Sequence, residues 1–286
     1  MKKGNGSAKN ANRSLFLPIW RFIYIFRSMD DTENNKKEMM LQQVFNDNKD
    51  MLAHPKDLLD VAMEFQQLLM FYESAVKIVR THFEILEDEF SAKHERKPIS
   101  TITSRIKEPM SIAEKLQRKG LPMTIDNMVN NLYDIAGIRV TCPFISDVYH
   151  VLMMLENQRD VSIYEVKDYI KNPKKSGYRS LHVIVKVSVD FSDQRRKIPV
   201  EIQIRTIAMD FWASLDHQIH YKKDFPMPKN VDEELRSIAD TIAETDERMQ
   251  KIAKNLPDFV DYSSVADQIE MLDEYAKILE RKTKES

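Results

Sequence analysis

Hydrophobic and polar residues alternate strictly from position 200 to 205, which is the pattern of a strand with one buried face. The apolar side carries Val200, Ile202 and Ile204, and the polar side carries Glu201, Gln203 and Arg205. Thr206 then suits a helix N-cap, and Phe211, Trp212 and Leu215 follow at the spacing of a core helix. A polar strand face that leads into a helix start is common in phosphate sites. An ordinary amphipathic strand with a core helix has the same pattern, so both interpretations stay open.

Four more stretches have the alternation or composition of strands: Ile99–Ile106, Asp134–Cys142, Val161–Tyr169 and Leu181–Val189. Helices are predicted from Pro109 to Gly120, near Ile125–Asn131 and over 146–157. The strand that contains position 200 is expected to begin at Ile198, after a polar turn. About five strands with helices between them favour an α+β (α/β-like) fold, a mixed five-stranded sheet with flanking helices.

Long helices are predicted on both sides of this middle part. Between Lys56 and about His94, apolar residues recur at three- and four-residue steps. So long an amphipathic helix needs a partner surface, in its own domain or in another subunit. Asp232–Asn255 and Val265–Lys282 are also amphipathic, and both are heavily charged.

Residues 1–28 differ from the rest of the chain. Met1–Arg13 is basic and polar, and Ser14–Phe26 is apolar but interrupted by a proline and an arginine. The apolar stretch is shorter than the roughly 20 residues that cross a bilayer, so no stable membrane insertion is expected. An anchor at the membrane surface fits the pattern. We favour translation from Met29, with a disordered leader before it.

Composition limits the class of protein. The 286 residues are 42% hydrophobic and 31% charged, with a net charge of −2, so a general nucleic-acid binder is disfavoured and no DNA partner is expected. The single cysteine, Cys142, excludes a disulfide framework within one chain and fits a reducing cytoplasm. The five glycines form neither GxGxxG nor GxxxxGKS/T, which excludes Rossmann and P-loop sites at the motif level. Bound phosphates would therefore be held mainly by side chains.

A basic group lies before and within the helix predicted from Pro109. Lys107, Ser111 and Lys115 are four residues apart and share one face if the helix extends that far. Two cations and a hydroxyl at a helix start suit a polyphosphate, although a solvated basic face has the same pattern. Asp134, at the edge of a strand, is a candidate metal ligand, and a turn or capping aspartate is the alternative.

Two glycines mark places where a flat group could come close. Gly137 lies on the same strand side as Arg139, and its missing side chain leaves room there. In the basic turn 170–180, Gly177 precedes Tyr178 among several lysines. This suits a stacked base with its phosphates held nearby, and an exposed hairpin loop is the alternative.

Four ordered motifs resemble the synthetase domain of RelA/SpoT-type enzymes: RIKEPMSIAEKLQRKG, DIAGIRV, SGYRSLH and VEIQIRTIAMDFWASLDH. They lie within a resemblance that covers roughly Glu64 to Asn255, and the chain resembles a single-domain small alarmone synthetase. The long bifunctional enzymes of this family also carry a hydrolase domain. No His-Asp dipeptide occurs in this chain, so we expect that domain to be absent. The resemblance implies a nucleotidyltransferase-like fold. The expected segments are a leader (1–28), a helical region (29–95), the synthetase core (96–225) and C-terminal helices (226–286).

The resemblance implies transfer of pyrophosphate from ATP to the 3′-OH of GTP or GDP, which gives AMP and pppGpp or ppGpp. The implied ATP-binding residues are Arg105 and Arg139 at the adenine and Lys107, Ser111 and Lys115 at the triphosphate. Asp134 and Glu201 would bind Mg²⁺, and Glu201 would also help to deprotonate the hydroxyl. The implied acceptor-binding residues are Tyr178, stacked on guanine, and Lys174, His182, Gln203, Arg205, Asp210 and Asp216.

Two of these positions depart from the family pattern. Many relatives carry Asn and Glu where this chain has Asp210 and Asp216, which would touch the guanine edge or only order the helix. The preference among GTP, GDP and GMP therefore stays open. Small synthetases of this kind are usually tetramers, so the resemblance also implies a homotetramer.

Two other functions compete with the synthetase. The first is a non-catalytic oligomer of the same fold that binds nucleotide or RNA. The intact pair of Asp134 and Glu201 weighs against it, because a binder needs neither carboxylate. The second is a transferase that moves a nucleoside monophosphate, which would release free pyrophosphate instead of AMP.

Overall fold

The computed structural model describes residues 55–94, 96–121, 124–221 and 230–256, together with Phe259. In chain order its elements are α1 (Pro55–His94), β1 (Thr101–Ile106), α2 (Pro109–Arg118), α3 (Ile125–Asn131), β2 (Ala136–Cys142), α4 (Ile145–Glu156), β3 (Val161–Asp168), β4 (Leu181–Asp190), β5 (Arg195–Thr206), α5 (Ile207–Tyr221) and α6 (Val231–Lys254). The predicted leader at 1–28 and the predicted helix Val265–Lys282 lie outside the described residues.

The strands form one five-stranded sheet in the order β1-β2-β5-β4-β3. β2 runs parallel to β5, whereas β4 is antiparallel to both β5 and β3, so the predicted mixed five-stranded sheet is confirmed. β5 begins at Arg195 and not at Ile198, because the exposed polar residues 195–197 continue the ladder with 188–190. Backbone pairing therefore extends the strand beyond its hydrophobic pattern.

Alternation along the strands sorts the side chains onto two faces of the sheet. The apolar residues of one face are buried, namely Leu181, Val183, Val185, Val187 and Val189 in β4 and Ile198, Val200, Ile202 and Ile204 in β5. On the other face Gly137 pairs with Glu201 and Arg139 pairs with Gln203, which also pairs with His182. Since directly paired residues point to the same side, polar groups from three strands collect on one face.

The sequence signals at two helix ends are confirmed. Oγ1 of Thr206 accepts a hydrogen bond of 3.1 Å from the backbone N–H of Met209, so Thr206 caps α5 as predicted. Gly120 follows α2 with a φ of +67°, the left-handed conformation that glycine adopts without strain. α2 begins at Pro109, so Lys107 precedes the helix and does not share a helical face with Ser111 and Lys115.

The apolar stripe of α1 is covered within this chain over the part whose side chains are described. Its buried members are Phe65, Leu68, Leu69, Phe71, Tyr72, Ala75, Val76, Val79, Phe83, Leu86 and Phe90. These positions therefore do not require a second subunit. No helix within the described ranges is long and apolar enough to cross a membrane.

The chain divides into two compact units. The first comprises residues 1–73 and 106–135, and the second comprises 74–105 and 136–286. α2 and α3 belong to the first unit, and β2 to β5 with α4 to α6 belong to the second. The segment boundaries predicted at 28, 95 and 225 fall outside the described residues and stay predictions.

Candidate active site

A cleft of about 190 Å³ lies on the polar face of the sheet, in the second unit. Its walls come from β1, β2 and β5: Thr103, Ser104, Arg105, Gly137, Ile138, Arg139, Glu201 and Gln203. The pairing of Gly137 with Glu201 and of Arg139 with Gln203 accounts for this grouping. The structure thus brings both predicted adenine-binding arginines beside the predicted catalytic carboxylate.

Arg105 passes over Gly137. A Cβ at position 137 would lie 3.7 Å from Cγ and 3.9 Å from Nε of Arg105, so that side chain lines the space above the glycine. Arg139 is on the same face, with 40% of its side chain exposed. Burial lowers the pKa of the Arg139 guanidinium and the charge of Arg205 lowers it further, while Asp210 opposes both. The cleft therefore presents two planar cations to a ligand.

A series of hydrogen bonds joins Glu201 to Tyr178. Gln203 donates from Nε2 to Oε2 of Glu201 at 3.1 Å and accepts at Oε1 from Nη2 of Arg205 at 2.8 Å. The same Nη2 donates to the Tyr178 hydroxyl at 2.6 Å, and that hydroxyl lies 2.7 Å from Nε2 of His182. Because Arg205 can only donate, the phenol hydrogen is left for Nε2. A neutral His182 then carries its proton on Nδ1, 3.6 Å from Oε1 of Glu201.

Arg205 donates four hydrogen bonds to other side chains of the protein. Its side chain is 5% exposed, and besides its bonds to Tyr178 and Gln203 it donates to Asp210 at 3.0 Å and to Ser180 at 3.4 Å. With its N–H groups directed to these partners, the buried guanidinium has little capacity left for phosphate. The geometry therefore favours a positioning role for Arg205, which holds the Tyr178 phenol in place.

Asp210 lies between two arginines, and Asp216 does not. Oδ1 of Asp210 is 3.0 Å from Nη1 of Arg205 and 3.4 Å from Nη1 of Arg139. Asp216, six residues further along α5, has an oxygen 3.1 Å from Nδ1 of His220 instead. Of the two positions that depart from the family pattern, only Asp210 contacts Arg139 and Arg205.

Lys174 lies against two tyrosine rings. Its Nζ is 4.7 Å from the ring centre of Tyr178 and 4.6 Å from that of Tyr169, within the range of a cation–π contact. The Tyr169 ring also packs edge-on against His182, with ring centres 5.2 Å apart. Tyr169 is absent from the sequence prediction, because the hairpin register across residues 169–180 cannot be read from the pattern. In the structure Lys167 pairs with His182, which puts Tyr169 on the same face.

The other predicted residues lie in the first unit, around Asp134. Lys107 and Lys115 both donate to Oδ2 of Asp134, Lys115 at 2.6 Å. Burial raises the pKa of Asp134, but the hydrogen bonds and charges of the two lysines outweigh burial and hold the pKa below its usual value. Ser111 is half-buried on α2. Asp134 is therefore an ionised carboxylate at neutral pH.

One oxygen of Asp134 remains available to a further partner. Oδ1 is buried and has no hydrogen-bond partner. Within the described ranges no group of three or more His, Cys, Asp or Glu side chains could hold a metal ion. A buried oxygen of this kind fits Mg²⁺, which commonly takes one or two carboxylates and completes its shell with water and phosphate oxygens.

Known proteins match both the sequence and the fold. The family described as "Region found in RelA / SpoT proteins" matches residues 104–225. GTP pyrophosphokinase YwaC of Bacillus subtilis (strain 168) is 42% identical over 205 residues, which are 72% of this chain and 98% of that protein.

Two crystal structures from Bacillus subtilis have the same fold. Small alarmone synthetase 2 has a TM-score of 0.62 at 40% identity, over 68% of this chain and 100% of that one. Small alarmone synthetase 1 bound to its product pppGpp has a TM-score of 0.62 at 31% identity, over 68% of this chain and 98% of that one. These matches confirm the predicted nucleotidyltransferase-like fold. The chain belongs to the RelA/SpoT family and, within it, to the small alarmone synthetases.

Proposed function

We propose that this protein is a GTP pyrophosphokinase, which transfers the β,γ-pyrophosphate of ATP to the 3′-OH of GTP or GDP. The products are AMP and pppGpp or ppGpp. Relatives named GTP pyrophosphokinase, together with the pppGpp-bound structure of a relative, support this reaction.

The position of Glu201 is the observation that most supports this function. Its carboxylate lines the cleft that holds Arg105 and Arg139, and Gln203 and Arg205 link it to the Tyr178 hydroxyl. A base placed between a cationic cleft and an aromatic ring suits a reaction that joins two nucleotides. ATP would bind on the arginine side, and the acceptor would stack on Tyr178.

In this reaction the 3′ oxygen of the acceptor attacks the β-phosphorus of ATP. The bond from that phosphorus to the oxygen bridging to the α-phosphate breaks, and AMP leaves with the electron pair. Glu201 accepts the hydroxyl proton. The protein contributes in-line placement of the two nucleotides and neutralisation of phosphate charge. Arg105 and Arg139 would hold the adenine, while Lys107, Ser111 and Lys115 would hold the triphosphate.

The proposal includes Mg²⁺ bound by Asp134 and Glu201. When bound, the ion neutralises phosphate charge and lowers the pKa of the attacking hydroxyl. Oδ1 of Asp134, which is buried and has no hydrogen-bond partner, supports this assignment. Lys107 and Lys115 keep Asp134 ionised, so the carboxylate is ready for a cation at neutral pH.

The reaction is tested with purified protein, Mg²⁺, GTP and ATP labelled in the γ position. Separation by anion exchange should give a labelled species more anionic than GTP, formed one-for-one with AMP. Glu201→Gln should abolish this product while nucleotide binding persists, because the amide keeps the shape but cannot take the proton.

Two outcomes would favour the competing functions. Free pyrophosphate in place of AMP would indicate transfer of a nucleoside monophosphate. Binding of both nucleotides without any product would indicate a non-catalytic binder, and it would remove the metal assignment of Asp134 and Glu201.

The proposal also places the enzyme in the cytoplasm as a homotetramer. Buried, unpaired Cys142 is compatible with a reducing compartment. An apolar row on α5 supports self-association, since Ile207, Phe211, Leu215 and Ile219 are each at least 40% exposed in the single chain. Gel filtration coupled to light scattering should give four times the chain mass, and a monomer mass would contradict the tetramer.

A further inference from the structure

Helix α6 packs against the turn that carries Tyr178. Tyr178 lies against a buried cluster of Trp212, Ala213, Leu235 and Ala239, of which the last two belong to α6. The indole N–H of Trp212 donates to the carbonyl of Leu235 at 2.8 Å, which ties α5 to α6 at this point. The matched family region ends at residue 225, so the helix that supports this turn lies after it.

The contact between the turn and α6 is close. Gly177 has a φ of +91°, and a Cβ at this position would come within 2.6 Å of Cβ of Ala239. That separation is well inside van der Waals contact, so the turn can lie this near to α6 because residue 177 has no side chain. The backbone next to Tyr178 is thereby fixed by the surface of α6.

Arg179 connects the two elements. From Nη1 it donates to the carbonyl of Gly177 and to the carbonyl of Ala239, each at 3.2 Å. From Nη2 it donates to Oδ1 of Asp240 at 3.2 Å. One guanidinium thus holds a turn carbonyl, a carbonyl of α6 and a carboxylate of α6. The Arg179 side chain is 18% exposed and its two bonds to carbonyls are partly buried, whereas Asp240 is 61% exposed, so the pair with that carboxylate contributes less.

We infer that Arg179 is a positioning residue for the acceptor nucleotide, which acts by holding Tyr178 against α6. The inference rests on the proposed function for the identity of the acceptor, a guanine nucleotide. Arg205 and His182 fix the hydroxyl end of Tyr178, whereas Arg179 fixes the backbone on its other side. Without Arg179 the turn samples other conformations, and the apparent affinity for the acceptor falls in proportion to the lost competent fraction.

The experiment is calorimetric titration of Arg179→Ala and Arg179→Lys with GTP alone and with an ATP analogue whose α,β bridge is methylene. Neither titration requires turnover. We expect Arg179→Ala to bind GTP about three- to tenfold more weakly, with analogue binding changed by less than about twofold. Arg179→Lys should lie between Arg179→Ala and the unchanged protein, because one ammonium cannot hold all three oxygens.

Arg195→Ala is the matched control, since Arg195 forms an exposed pair with Asp190 at 3.3 Å where β4 ends and β5 begins. It should leave both affinities unchanged. Amide hydrogen exchange of residues 170–180 should rise in Arg179→Ala and not in the control. Unchanged GTP affinity in Arg179→Ala, or equal losses for both nucleotides, would overturn the inference.

The two proposals can fail separately. If Arg179→Ala does not fold, Arg179→Lys carries the test, and unchanged GTP binding in that variant would overturn the positioning role. If the unchanged protein binds GTP but forms no labelled product with ATP, the pyrophosphate transfer fails. The binding comparison then still decides whether Arg179 positions Tyr178.

Discussion

The guanidinium of Arg205 donates a hydrogen bond of 2.6 Å to the hydroxyl of Tyr178. Arg205 is 5% exposed and Tyr178 is partly buried, so this bond lies away from bulk water, where charge-assisted bonds are strong. The aromatic ring proposed to stack on guanine is thus held by a buried cation.

Substitution of Tyr178 separates stacking from positioning. Tyr178→Ala should weaken acceptor binding by about 1–3 kcal/mol, the usual contribution of one stacked base. Tyr178→Phe keeps the ring but loses the bonds to Arg205 and His182, so its loss should be smaller. ATP affinity should change little in either variant, as measured by separate titrations. Tyr164→Phe, on β3, is the control, and equal losses for both nucleotides would contradict the assignment of Tyr178.

Arg139→Ala should weaken the binding of ATP more than that of the acceptor, which is the reverse of the effect expected for Tyr178→Ala. Loss of a stacked guanidinium is expected to raise the KM for ATP about 3- to 30-fold, with a smaller effect on GTP. Arg139→Lys should not restore the KM, because an ammonium group cannot stack as a plane. Steady-state kinetics at saturating partner nucleotide measures both values. An unchanged KM for ATP would remove Arg139 from the adenine site.

Gly177→Ala tests the contact between the turn and α6. The positive φ and the 2.6 Å approach to Ala239 both oppose a methyl group, so we expect a loss of about 1–3 kcal/mol in the free energy of unfolding. Denaturant unfolding measures the loss. Ala239→Gly removes the clash but not the backbone strain, so Gly177→Ala should cost less stability when it is added to Ala239→Gly than when it is added to the unchanged protein.

Gly120→Ala is the matched control for backbone strain. Gly120 has a φ of +67°, and no atom lies within 4 Å of a Cβ built there, so strain is the sole expected cost. A loss in Gly120→Ala as large as that in Gly177→Ala would show that close approach to Ala239 contributes nothing.

Asp246 should make stability depend on pH. It is buried on α6 and accepts a hydrogen bond from Thr206, and burial, the larger influence, raises its pKa above the ordinary 3.8. A raised folded-state pKa stabilises the fold fully below pH 3.8, and this contribution is lost as the pH rises through the folded pKa. Asp246→Asn keeps an acceptor for Thr206 without the buried charge. Its melting temperature relative to the unchanged protein should therefore increase from pH 4 to pH 8.

The control for Asp246 is Asp193→Asn, which changes an exposed carboxylate in the β4–β5 turn. Its melting temperature should follow that of the unchanged protein at every pH. A difference between Asp246→Asn and the unchanged protein that stays constant with pH would show that Asp246 carries the same charge in the folded and unfolded states.

The sheet and its polar face could be predicted because a strand alternates with a period of two. Val200 and Glu201 must point to opposite sides, whatever else the chain does. The parallel pairing of β2 with β5, which sets Gly137 beside Glu201, was open until the structure was known. Alternation therefore gives the face of each side chain but not its neighbours across the sheet.

Other features depend on contacts that no local pattern records. Arg205 belongs to the predicted polar face, yet it is buried, because Tyr178, Gln203, Asp210 and Ser180 satisfy its N–H groups. Arg179 meets Ala239 across 60 positions of sequence. Neither periodicity nor motif spacing predicts which side chains meet at such distances.

The register between β2 and β5 makes strand length more critical than residue identity. Deletion of one residue within β5 before Glu201 would turn the carboxylate toward the hydrophobic interior and bring a valine or isoleucine into the cleft. A point substitution on the cleft face changes one contact with a nucleotide and leaves the other side chains of β5 on their own faces. An insertion or deletion would exchange the two faces together, so we expect related chains to vary in length at the β4–β5 turn and in the segments outside the sheet, and not within β5.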